Sequence, residues 1–170
     1  MASLVEELVS TLHEENEVYQ KLIPVTEQKT QVIVTNDLQG LQDVTDREKV
    51  LVDHISALEV KRREVVKNMA VVLNRREETL TLQAITELLK NQPDEQRCLE
   101  EIHDKIKETV GRLKDINAQN KSLIESSLEM IEFNMNFIRS TRMSTGSNNY
   151  TKNASEMDVS AAPGVFDAKQ

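Results

Sequence analysis

Side chains able to do chemistry are few and scattered in this 170-residue chain. His13, His54 and His103 fall on three different predicted helices, and Cys98 is the only cysteine. Two histidines one helical turn apart, with a glutamate beside the first, would hold zinc and activate water. His13-Glu14-Glu15 has the glutamates but lacks the second histidine. A hydrolase or transferase needs a nucleophile, a base and a cradle for developing charge, and no such set or Gly-rich phosphate loop is present. Carboxylates are plentiful but interleaved with bases along helices, the arrangement of solvated faces rather than of a metal site. The histidines therefore read as helix-surface residues and Cys98, beside an apolar stripe, as a small hydrophobe. The chain reads as a binding protein and not an enzyme, with no cofactor.

The charge balance narrows the partners. A net charge of −8 argues against nucleic acid, whose phosphates are bound by clustered Lys and Arg that release counterions. The one basic cluster, Lys61, Arg62 and Arg63, is followed at once by Glu64 and reads as a solvated helix face. A lone cysteine can form no intramolecular disulfide, so a reducing cytoplasm is compatible. The first residues, MASLVEELVS, turn acidic early and lack the order of a secretion signal. No apolar stretch approaches the roughly 18 residues of a spanning helix, so no stable membrane insertion is expected. The N-x-S/T triplets at Asn120, Asn149 and Asn153 then read as chance.

Aromatic residues make up 3% of the chain and charged residues 29%, with four Gly and three Pro, which suits long exposed helices. A capping-box spacing at Ser3 and Glu6 opens a first helix over about 3–36, with Val5, Leu8, Leu12, Tyr19, Leu22 and Ile33 along one side and Glu15, Thr26 and Lys29 interrupting them. Pro24 predicts a kink near Ile23, or else a clean break. The stretch DLQGLQDV is weakened by Gly40, and Thr45 with Glu48 repeats the capping-box spacing, so a second helix is placed at 46–75. Its stripe is Leu51, Ile55, Leu58, Val65, Met69 and Val72. A short amphipathic strap covers 79–90.

Nothing from Pro93 to Met143 breaks a last helix except Gly111, whose cost of about 1 kcal/mol a long helix absorbs. Its stripe runs Leu99, Ile102, Ile106, Leu113, Ile116, Asn120, Ile124, Leu128, Ile131, Met135 and Ile138. The expected fold is all-α: an elongated antiparallel three-helix bundle or coiled coil over 1–143, with a long C-terminal helix and a flexible, disordered tail at 144–170.

Helix lengths do not match. Two helices of about thirty residues cannot cover one of about fifty, which rises roughly 75 Å. The part left over carries Leu128, Met130, Ile131, Phe133, Met135, Phe137 and Ile138, a methionine-containing apolar surface suited to an amphipathic helix of another chain. Two alternatives stand beside this: the 79–90 strap folds over the stripe, or two copies pair through it as a homodimer.

The order LVEELVSTLHEENEVYQKLI, a T-x-x-E helix start, LEVKR, TLTLQAITELL, and INAQNKSLIESSLEMIEFNMNFI resembles the FlgN family of flagellar export chaperones over nearly the whole chain. Glu15 and Tyr19, Glu48, Leu58-Glu59 with Arg62, and the Asn117, Asn120, Leu123 spacing carry the resemblance, as does a tail with the lone Tyr150 and Phe166-Asp167. Asn153 and Ala154 stand where that family often has glycine, and Pro24 is an interruption. The resemblance implies a cytoplasmic chaperone that uses no nucleotide. Such a protein binds hook-associated (hook-filament junction) proteins, prevents their premature assembly and delivers them to the type III export gate. It implies that the client's C-terminal helical region binds the chaperone's C-terminal part, where the uncovered turns fall, and that Tyr150 contacts the export gate. Asn117 and Asn120 read as interhelical hydrogen-bonding residues. A self-associating structural coiled coil or adaptor is the competing function.

Overall fold

The computed structural model describes residues 2–144. They form α1 (Ala2–Val34), α2 (Leu38–Val72), a 3-10 turn (Glu77–Thr79), α3 (Leu82–Leu88) and α4 (Pro93–Ser144), with no strand among the described residues. The fold is all-α, as expected. The chain divides into two units, Met1–Met130 and Ile131–Gln170. The tail expected at 144–170 lies, beyond Ser144, outside the described residues.

The first unit starts from the α1–α2 hairpin, whose helices end by the same device. Asn36 takes a left-handed conformation (φ 54), the Asp37 N–H donates to the Val32 carbonyl at 2.9 Å, and the Asn36 N–H to that of Ile33 at 3.1 Å. At the end of α2, Asn74 (φ 51) repeats this, with Arg75 N–H to Ala70 O at 3.0 Å and Asn74 N–H to Val71 O at 3.2 Å. Asparagine tolerates this conformation better than most side chains, and the two bonds satisfy carbonyls the helix leaves open. Both helices stop close to where the sequence places their ends.

The start of α2 differs from expectation. It begins at Leu38 rather than 46, because Asp37 caps it, its Oδ1 accepting from the Gly40 N–H at 2.9 Å. Gly40 does not weaken this helix but permits it. A Cβ at that position would run into the Asp37 carboxylate and come within 2.9 Å of Val32 Cγ1 on α1. Thr45, expected to cap, donates instead to the Leu41 carbonyl at 2.7 Å, and Glu48 pairs with Lys29 on α1. Ser3, expected as the first cap, lies inside the first turn of α1, which opens at Ala2. Pro24 is exposed within α1 and the helix runs through it, so the clean break does not occur.

Packing fixes the topology. One core cluster joins Val5, Leu8 and Leu12 of α1 with Val65 and Met69 of α2 and with Leu99 and Ile102 of α4. A second joins Val18 and Leu22 with Ile55, Leu58 and Leu113. Residue numbers rise together along α1 and α4 and fall along α2, so α2 runs antiparallel to both. The strap predicted at 79–90 forms the 3-10 turn and α3, capped by Thr81, whose Oγ1 accepts from the Ala84 N–H at 3.2 Å. Its Leu80, Ile85 and Leu89 close the first cluster. Val72, expected in the stripe of α2, is 58% exposed. A strict heptad drifts about 20° per repeat on a straight helix. By the end of α2 that drift brings Leu73 and Ala70 to the core in its place.

Candidate functional site

The polar residues that interrupt the apolar stripes meet one another inside the first unit. Glu15 is 2% exposed, and its Oε1 lies 3.2 Å from Arg62 Nε across the α1–α2 interface. The guanidinium is near enough to pair but off the line of a hydrogen bond, and Oε1 accepts none. Burial pushes the Glu15 carboxyl above its ordinary range; Arg62 opposes that shift and Glu59 adds to it. Tyr19, half-buried, is pushed upward by burial first, then by Glu15 and Glu59. The expectation of a wholly solvated basic face at Lys61, Arg62 and Arg63 is thus corrected. Arg62 turns inward because a carboxylate buried on α1 needs a counter-charge, and Lys61 reaches Glu14 at 3.7 Å.

Further along, the α1–α4 interface carries two more polar contacts. Thr109 Oγ1 lies 3.1 Å from Asn16 Oδ1 and 2.8 Å from the Lys105 carbonyl. Asn120, 3% exposed, donates from Nδ2 to the Thr26 carbonyl at 3.1 Å and accepts at Oδ1 from Thr30 Oγ1 at 2.6 Å. Both ends of this amide are satisfied only in one register of α4 against α1, which makes it a register pin. Asn120 is therefore the interhelical residue expected, whereas Asn117 is exposed and bonds to neither helix.

The candidate chemical residues do not converge. His54 is exposed on α2, and His103 lies beside Asp104 on α4. His13 borders a shallow groove of about 370 Å³ floored by Val5, Val9 and Cys98 and rimmed by Glu6, Asp94 and Glu95. Among the described residues no group of His, Cys, Asp or Glu is placed to hold a metal ion. Nor, among them, is any helix long and apolar enough to cross a membrane.

The seven apolar residues singled out in the last helix are all exposed. Leu128 and Met130, at the end of the first unit, are 60% and 68% exposed. In the second unit Ile131, Phe133, Met135, Phe137 and Ile138 range from 46% to 70%. The apolar side chains of the strap pack into the first core cluster. Tyr150 lies outside the described residues. What sequence reasoning missed is the Glu15–Arg62 pair. One acid and one base each occupy a core position of facing stripes, and that coincidence of opposite charges was the available signal.

Taken together, these features define an all-α bundle held in register by buried polar pairs, with exposed apolar turns on its last helix. The model of the FlgN protein family matches residues 1–157. The chain belongs to the FlgN family, a family of flagellar export chaperones. No curated protein and no solved structure matches it. Of the residues that carry the family resemblance, Glu15, Arg62, Glu48 and Asn120 all make the interhelical contacts described above, so their work is to build the bundle.

Proposed function

We propose that this protein is a cytoplasmic chaperone of the type III export pathway. It binds hook-associated proteins through the exposed turns of α4 from Leu128 to Ile138, prevents their premature assembly and delivers them to the export gate, with Tyr150 as the gate contact. The observation that carries the reading is the exposure of all seven apolar side chains in a chain of this family. Large apolar side chains crowded into three exposed helical turns mark an interaction site, and a helix presenting them suits an amphipathic helix of a client.

The test uses the purified full-length chain and the purified hook-associated proteins of the same bacterium, with affinity read by calorimetry. Ile131→Asp combined with Met135→Asp should weaken binding at least about 100-fold, the effect of losing central apolar anchors. Helicity and melting temperature should stay nearly unchanged, because neither side chain is buried. Full affinity in that double variant would remove the site. A chain that binds no hook-associated protein but forms a tight dimer through the same residues would favour the structural reading instead.

A further inference from the structure

The second unit carries two apolar patches on its helix. Each residue turns the helix by about 100°, so with Ile131 as reference Met135 falls about 40° to one side and Ile138 about 20° to the other. Phe133 and Phe137 fall about 200° and 240° round. The aliphatic and aromatic patches are therefore centred about 150° apart, on nearly opposite faces. All five side chains are exposed, from 46% for Ile138 to 70% for Phe133. Glu132, Asn134 and Asn136 lie between the patches and are exposed as well.

One helix packed alongside covers a stripe of roughly 100°, so it reaches one patch and leaves the other in water. Area points the same way. A phenylalanine buries about 150–250 Å² when fully covered, and the aromatic patch alone falls short of the roughly 800 Å² per side of an ordinary specific interface. Both patches together come closer to it. A second copy of this chain would not serve. Two-fold pairing sets a patch against itself and leaves the opposite one bare, so a dimer covers only one of the two.

We infer that the last turns of α4 are gripped from opposite sides by two amphipathic helices of one client molecule, one on Ile131, Met135 and Ile138 and the other on Phe133 and Phe137. This rests on the client-binding reading above and adds the number of helices and their placement. The polar strip holds Glu132 and Arg139, one charge of each sign, so the grip is apolar and changes little with salt.

A photo-crosslinking amino acid placed at Met135 in one full-length chain, and at Phe137 in another, tests this with the hook-associated proteins as probes. The expected result is two different client segments, far enough apart in sequence to belong to separate helices, each captured in a one-to-one complex. One shared segment from both positions, capture from a single position only, or cross-links between copies of this chain would each overturn it. In parallel, Phe133→Asp with Phe137→Asp should weaken binding at least about tenfold, beside the loss of at least about 100-fold expected of Ile131→Asp with Met135→Asp. If only the aliphatic pair matters, the two-helix grip is wrong while the client site stands. If the unaltered chain binds no hook-associated protein, both fall together.

Discussion

Helix α4 contains the same residue types at the same spacing in two different situations. In the first unit Leu99 and Ile102 are fully buried and Leu113 is 5% exposed. In the second unit Ile131 and Ile138, which continue the same pattern of steps, are 57% and 46% exposed. Apolar spacing shows which side of a helix asks for cover; it does not show whether the chain supplies it. In the first unit cover comes from the α1–α2 hairpin, and that hairpin has already turned at Asn36. Within that unit Asn120 meets Thr26 and Thr30 on the last turns of α1.

The largest effect that would break this comparison is on core truncation. Leu99→Ala leaves a cavity in the first core cluster, where that side chain is fully buried, and should cost about 2–5 kcal/mol. Phe137→Ala removes more side chain yet should change stability by no more than about 0.5 kcal/mol, because that ring is 61% exposed. Thermal or urea unfolding of both variants decides it, and equal losses would mean that the aromatic turns are packed in solution. Next in size is Asn120→Ala. It removes both interhelical hydrogen bonds of a buried amide, to the Thr26 carbonyl and from Thr30 Oγ1, and should cost about 1–3 kcal/mol. A stability equal to that of the unaltered chain would show that the amide pins nothing.

Much of the fold could be read directly from the residues. The ends of α1 and α2 follow from Asn36 and Asn74, and the extent of α4 from Pro93 and the lack of any later breaker before Met143. The start of α2 could not be read in that way. Its cap depends on Gly40 making room for Asp37 against Val32, a tertiary fit that looks locally like a helix breaker. The exposed turns were legible as a mismatch of helix lengths, without knowing which elements would pack where. The Glu15–Arg62 pair was hidden for another reason. Each residue looks like a defect in its own stripe, and only the pairing of the stripes turns two defects into one contact.

That pair supplies the smallest effect and a test of whether the polar interior of the first unit behaves differently from the exposed turns. Burial raises the Glu15 carboxyl above its ordinary value of 4.5. The folded state then holds a proton that the unfolded chain has released, so the stabilisation from this group is fully present below about pH 4.5 and is lost as pH rises through the raised folded value. Glu15→Gln cannot ionise, and Arg62, whose side chain is 35% exposed, still reaches water when its partner loses charge. The variant's melting temperature relative to the unaltered chain should therefore improve between about pH 4 and about pH 8. Client affinity should show no matching change, since the exposed turns contain neither residue. A difference in melting temperature that stays flat, or that moves against the variant as pH rises, would mean that the attraction of Arg62 outweighs burial and that Glu15 sits in the fold as a well-paired carboxylate.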